Sequence, residues 1–250
     1  MKTKSNTNRS SPLNPVQPEK FIIGIGASAG GMEAIHELFD HTPSDAVSYV
    51  IVQHLSPDHK SFMKELLVKH SKLKIYVAEN GMKVISNCVY VLPEGKIMTI
   101  TDGKLMLKNR QRSTPNSAID IFFNSMAEDL GNKSVAIVLS GNGSDGTKGI
   151  EAIKKVGGMV IVQDPQSTKF NSMPLSAIES GYYDYILAPK QIPLQIVKYI
   201  QQKTLACNFS HPLSEANETA LSEIKTYAFR LFRIQTGNYY KKNHEKNGSQ

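Results

Sequence analysis

Four short apolar runs, Phe21–Ile25, Tyr49–Val52, Val135–Leu139 and Met159–Val162, constrain the fold of this chain more than any other feature. Each is rich in β-branched residues and apolar without interruption rather than at every second position. An unbroken run suits a strand covered on both faces, because both sides of its pleat must then be apolar; that is the situation in a parallel sheet. Around these runs lie patterns with helical spacing, at Gly31–Phe39, Asp58–His70, Ile119–Leu130, Gly146–Val156 and Pro174–Ser180. Strands alternating with helices predict βαβ units, hence a doubly wound, mostly parallel α/β sheet with helices on both faces. Residues 84–108 break this rhythm. Cys88–Leu92 and Ile97–Ile100 read as strands, and Asp102-Gly103 as a tight turn into Lys104–Leu107, which predicts an antiparallel β-hairpin at one edge of the sheet. Gln191–Gln202 reads as a further helix. After the polar stretch Asn208–Asn217, another helical segment is expected at about Glu218–Ile234.

The chain has 250 residues and a formal net charge of +7, a basic balance that invites a nucleic-acid or acidic-membrane reading. Mapping the charge removes the invitation. Residues 1–20 hold four Lys/Arg against one Glu, and residues 204–250 hold six Lys/Arg against four Glu, whereas residues 21–203 hold 19 basic against 17 acidic. The excess therefore sits outside the patterned region, which carries no basic stripe, and no nucleic-acid partner is expected. Residues 1–20, made largely of Ser, Asn, Pro and Lys, read as a disordered basic tail. No stretch of about 18 apolar residues occurs, so no insertion into a membrane is expected. The basic start lacks the apolar segment of a secretory signal. Cys88 and Cys207 are too few and too far apart for a disulfide framework or a zinc site, and a cytoplasmic setting with no cofactor is expected.

In doubly wound sheets, ligands bind beyond the carboxyl ends of the strands. The first run leads into GASAGG, Gly26–Gly31. This stretch admits three readings: a G-x-S-x-G turn exposing Ser28 as a nucleophile, a glycine spacing at Gly24, Gly26 and Gly30 that cradles a dinucleotide pyrophosphate, or a serine that merely caps the next helix. The second run separates them. A dinucleotide site wants an acidic residue at the end of the second strand, but Tyr49–Val52 ends in Gln53-His54. An imidazole is a poor ribose acceptor and the usual base for a serine nucleophile. The third run leads into Ser140–Gly149, where Asp145 lies in a glycine-rich turn before a helix. Alone, Asp145 would be an N-cap; with Ser28 and His54 it completes a Ser-His-Asp set, each member at a strand's carboxyl end. The fourth run leads into Gln163–Gly181, which reads as a loop walling a cleft.

Four segments, GASAGG, QHLSPDH (Gln53–His59), LSGNGSDGTKG (Leu139–Gly149) and QDPQSTKFNSMPLSAIESG (Gln163–Gly181), resemble in order and spacing the catalytic domain of the chemotaxis protein-glutamate methylesterases, the CheB type. The resemblance spans about residues 21–200. It implies hydrolysis of glutamyl methyl esters on methyl-accepting chemotaxis receptors with release of methanol, and often deamidation of receptor glutamines. It assigns Ser28 as nucleophile, His54 as base and Asp145 as the orienting carboxylate. Ala29, Gly30, Asn142, Gly143 and Met173 become candidates for the oxyanion and substrate loops. Three places depart from the usual pattern: Ala29 stands where many members have Thr, Asn142 where many have Met, and Ser113–Asp120 replaces a His-Arg-Pro-like stretch. These departures fall on substrate contacts and rate, not on the triad. A catalytically weak or inactive signalling module of the same fold, binding receptors or two-component partners, is the alternative.

Regulated members carry an N-terminal receiver domain, for which twenty residues are too few. Details at 146–181 are more similar to the branch fused ahead of a CheR-type receptor methyltransferase. Ile224–Tyr240, with its Gln235-Thr236-Gly237 turn, resembles the opening of that methyltransferase. The expected organisation is therefore a tail at 1–20, a catalytic domain at 21–203, and at 204–250 a linker and the start of a CheR-type domain ending in a disordered tail. A fusion protein parted from its second half would have this form. The expected partners are the receptor's cytoplasmic helical region and a CheR-type or histidine-kinase module.

Overall fold

A computed structural model describes residues 20–43, 47–54, 63–111 and 117–209. In chain order its strands are β1 (Ile22–Ala27), β2 (Ser48–Gln53), β3 (Lys74–Val77), β4 (Met82–Lys83), β5 (Cys88–Val91), β6 (Lys96–Thr101), β7 (Lys104–Asn109), β8 (Ser134–Val138), β9 (Met159–Gln163) and β10 (Tyr185–Leu187). Its helices are α1 (Gly31–Asp40), α2 (Met63–Leu67), α3 (Ala118–Leu130), α4 (Thr147–Lys155), α5 (Ser172–Glu179) and α6 (Ile192–Phe209). Seven strands form one sheet in the order β10-β9-β8-β1-β2-β5-β3, and every neighbouring pair is parallel.

The central strands β1, β2, β8 and β9 coincide with the four apolar runs, and the reason is visible in their burial. Successive residues of β1 enter opposite layers. Ile22 packs with Phe122, Phe123 and Met126 of α3, while Ile23 and Ile25 pack with Ile35 and Leu38 of α1 and with Ile192 and Ile196 of α6. Two fully buried layers therefore demand apolar residues at consecutive positions. Truncating one of these side chains to Ala would cost about 2–5 kcal/mol.

Gly24 and Gly26 let α3 lie directly on β1. A Cβ on Gly24 would stand 2.5 Å from Met126 Sδ, and one on Gly26 would stand 2.5 Å from Ile119 Cγ2. Their absent side chains clear space for a helix rather than for a pyrophosphate, so the dinucleotide reading of Gly24, Gly26 and Gly30 loses its physical basis.

The antiparallel hairpin is present as β6 and β7. It joins β4 in a separate three-stranded sheet, order β4-β7-β6, packed against α3. Cys88–Val91 is not part of this excursion. It is a parallel strand inside the main sheet, between β2 and β3. β3 and β10, neither expected, are the two edges of the main sheet. α6 runs past Gln202 to Phe209. It is tied down by Tyr199, whose hydroxyl donates to Asn132 O at 3.2 Å and whose ring meets Phe21 edge-on. The helix expected at about Glu218–Ile234 and the tail at 1–19 lie outside the described residues, as does the first part of the helix expected at Asp58–His70. No helix among the described residues is long and apolar enough to cross a membrane.

Candidate active site

β8, β1 and β2 are adjacent, and their carboxyl ends are stitched together by backbone hydrogen bonds. Leu139 N–H donates to Gly26 O at 2.9 Å, Ser28 N–H to Ser140 O at 2.9 Å, and His54 N–H to Ala27 O at 3.0 Å. Ser28 and His54 each lie one residue beyond the paired residues Ala27 and Gln53. They are therefore neighbours on strands about 4.8 Å apart.

Asp145 reaches the same place from the loop before α4. Its Oδ2 lies 2.6 Å from His54 Nε2, with the two side chains 6% and 16% exposed. A carboxylate this buried needs several donors to offset the loss of water, and it has them. Oδ2 also accepts from Ile119 N–H at 3.0 Å, and Oδ1 accepts from Asp120 N–H at 2.9 Å. Both donors belong to the first turn of α3, where unpaired N–H groups and the helix dipole favour an anion. The residue at the ordinary capping position of α3, Ser117, makes no side-chain cap bond. Asp145 thus caps a helix, as an isolated reading of its position would suggest, but the helix is α3 rather than the α4 that follows it.

Ser28 is half-buried at the end of β1. Its backbone does not carry the left-handed strain of a nucleophile elbow. The positive φ of the turn falls on Gly30, at 68°, where a Cβ would also stand 2.7 Å from Phe170 Cδ2. Among the described residues the Ser28 hydroxyl has no hydrogen-bond partner, His54 included. One wall beside it is Gly141, whose Cβ would lie 2.8 Å from Ser28 Cβ and 2.1 Å from Met173 Sδ. Met173 is 1% exposed and donates its N–H to Gly141 O at 3.0 Å, so it supports that loop from below.

Among the described residues, the backbone N–H groups of Ala29 and Gly30, which follow Ser28, and of Asn142, which follows Gly141, have no acceptor. Gly143 differs: its N–H already donates to Ser172 Oγ at 3.0 Å. The side-chain organiser of this region is Ser140, which no sequence pattern singled out. Its Oγ is bonded to Ala29 O at 2.8 Å, Thr168 Oγ1 at 2.7 Å and Phe170 O at 3.2 Å, and its N–H donates to the buried Gln163 Oε1 at 2.8 Å. These bonds span up to 111 residues of chain, so no local spacing could reveal them. Phe170 itself is 42% exposed beside the Ser28 turn, an apolar wall facing solvent. His54 also lines a small cleft with Gln53, Leu92, Pro93, Glu94, Lys96 and Arg110.

A buried carboxylate bonded to an imidazole, a hydroxyl one strand away and unpaired N–H groups beside it form an arrangement suited to acyl transfer. Comparison with known proteins agrees with that class of chemistry. Residues 23–196 match the model of the CheB methylesterase family. A protein-glutamate methylesterase/protein-glutamine glutaminase of Pyrococcus horikoshii is 31% identical over 195 residues, covering 76% of this chain and 53% of that protein. The protein of the same description from Thermotoga maritima is 29% identical over 208 residues, covering 79% of this chain and 59% of its own length. This chain thus spans little more than half the length of those relatives. An uncharacterised 104.1 kDa protein of Rhodobacter capsulatus is 39% identical over 138 residues, or 14% of its length. Among solved structures, the catalytic domain of Thermotoga maritima CheB methylesterase superposes with a TM-score of 0.66 at 30% identity, covering 72% of this chain and 98% of that domain. The two folds share a mostly parallel sheet with helices. The chain belongs to the CheB methylesterase family.

Proposed function

We propose that this chain hydrolyses glutamyl methyl esters on the cytoplasmic helical region of methyl-accepting chemotaxis receptors, through a Ser28-His54-Asp145 triad. The observation that carries the reading is the 2.6 Å bond between His54 Nε2 and Asp145 Oδ2, made one strand away from Ser28. An ionised carboxylate accepts, so Nε2 carries the proton and Nδ1 is left with its lone pair as the base. The reaction requires Ser28 Oγ to turn towards that nitrogen by rotation about χ1 between staggered wells. His54 Nδ1 takes the hydroxyl proton as Oγ attacks the ester carbonyl, and Asp145 stabilises the imidazolium. The oxyanion is met by N–H groups of Ala29, Gly30 and Asn142, each such donor being worth about 3 kcal/mol. The proton passes from His54 to the departing methanol. Water, deprotonated by His54, then cleaves the acyl-enzyme and leaves a glutamate carboxylate on the receptor. The same steps with ammonia as leaving group deamidate a receptor glutamine.

The test is methanol release from methylated receptor membranes. Ser28→Ala is expected to lower kcat by about 10⁴-fold or more, and wild-type release by this variant overturns the assignment. The free Ser28 hydroxyl favours a second reading, a signalling module of this fold that binds receptors or two-component partners without turnover. A serine-directed phosphonate separates the two: labelling at Ser28 supports the enzyme, and folded but unlabelled protein supports the module. Residues 204–250 fit the start of a CheR-type methyltransferase domain, which would bring the opposing activity to the same receptor.

A further inference from the structure

We propose that Asp120 is a positioning residue for the triad: it fastens the first turn of α4 and through it holds Asp145 against His54. The proposal rests on the esterase reading of the site. Its basis is an exchange of caps between two helices. Asp145, the residue before Gly146 at the start of α4, accepts from Ile119 and Asp120 N–H in the first turn of α3. Asp120, in that first turn of α3, accepts from Gly149 N–H in the first turn of α4 at 2.8 Å, with the N–H groups of Gly146 and Lys148 also turned to it. Neither helix has a side-chain cap of its own. Each therefore depends on a carboxylate from the other for donors that would otherwise be orphaned.

The exchange is made possible by close packing. A Cβ on Gly149 would stand 2.5 Å from Phe123 Cβ and 3.2 Å from Asp120 Cα, so α3 and α4 are in direct contact at this end. Gly149, bonded to Asp120 and three residues beyond Gly146 in the same turn, transmits the restraint to Asp145. Without the Asp120 carboxylate, the first turn of α4 loses its acceptor, and the neighbouring Asp145 loses the anchor that fixes its distance from His54. Asp120 touches neither substrate nor reacting atoms in this scheme. Asp145 is the charged group that acts on it. Burial, and then the charge of Asp145, push the Asp120 carboxyl above its ordinary range against the pull of the Gly149 N–H. Backbone donors hold the two carboxyl groups close: Ile119 and Asp120 N–H to Asp145, and Gly149 N–H to Asp120.

The experiment compares Asp120→Ala and Asp120→Asn with the wild-type chain by methanol release and by the downfield proton NMR signal of the His54 Nε2–H. Asp120→Ala is expected to lower kcat between about tenfold and about 100-fold at nearly unchanged KM. It is also expected to move the His54 signal upfield or broaden it. Asp120→Asn offers a neutral acceptor, so it is expected to lose less, about three- to tenfold, with a smaller displacement. A role confined to stability would leave folded variants with the wild-type signal and kcat, and that result overturns the proposal. So does a loss carried by KM with the signal in place. Should Asp120→Ala not fold, Asp120→Asn is judged by the same two readouts. Should the wild-type chain release no methanol, the esterase reading fails, and the position of the His54 signal alone decides whether Asp120 holds Asp145.

Discussion

The two ends of the proposed triad are built differently. At the carboxylate end, Asp145 is 6% exposed, accepts from two backbone N–H groups as well as from His54, and is wedged between two helix starts. At the nucleophile end, Ser28 is half-buried, its hydroxyl is free among the described residues, and its neighbours are a glycine and an exposed phenylalanine. The contrast separates two requirements. A charge stabiliser works best when its dipoles are aligned before the reaction, because reorganising them during it is costly. A nucleophile that must meet a side chain presented on another protein gains from room around it. Under the proposed function, rigidity is concentrated where charge would develop, and space where the substrate would enter.

That division is broken most severely by changing its two ends in parallel. Ser28→Ala should abolish turnover and leave thermal stability almost untouched, since its hydroxyl holds nothing in place. Asp145→Ala should lose about 10⁴-fold in kcat and also destabilise the fold by about 1–3 kcal/mol, because it strips α3 of its cap. Methanol release paired with thermal unfolding reads both. Equal stability losses in the two variants would erase the distinction.

The next effect in size tests the room around the nucleophile. Gly141→Ala places a Cβ 2.8 Å from Ser28 Cβ and 2.1 Å from Met173 Sδ. Overpacking of this kind costs about 1–3 kcal/mol, and the crowded Ser28 should lose about 100-fold in kcat/KM. A smaller effect is expected at Phe170, which is exposed: Phe170→Ala should leave the melting temperature unchanged and lower kcat/KM by about tenfold, as expected for one lost apolar contact with substrate. Unchanged kinetics would remove Phe170 from the binding wall.

The same contrast explains what the sequence discloses. β1, β2, β8 and β9 are legible because burial on both faces forces unbroken apolar runs. β3 is not, because KIYV at the sheet edge buries Ile75 while Tyr76 and Val77 stay exposed. β10 is a short edge strand with Tyr185 and Ile186 exposed. Cys88–Val91 has the right texture but lies next to the hairpin in the chain, and proximity suggests the wrong sheet for it. Ser28, His54 and Asp145 can be read as candidates because each follows a legible strand. Ser140, Gly141 and Asp120 cannot, since what they do depends on contacts with Ala29, Ser28 and Gly149, remote in sequence.

The smallest expected effect probes the rigid end through pH. Burial, and with it the charge of Asp145, hold the Asp120 carboxyl above its ordinary value. The folded chain therefore binds this proton more tightly than the unfolded chain. Stability from this group is greatest below the unfolded value, falls as pH rises from there through the raised folded value, and is level above it. In Asp120→Asn the group no longer titrates, so that fall should disappear from urea-unfolding midpoints collected from about pH 4 to about pH 7. The slope is the readout, because the amide also alters the α4 cap and so shifts the whole curve. A variant that keeps the wild-type slope would mean that neither burial nor the charge of Asp145 raises the Asp120 carboxyl. The close approach of α3 and α4 would then carry no electrostatic cost at Asp120, and the rigid end would owe its order to its carboxylate–N–H bonds and to packing at Gly149 and Phe123.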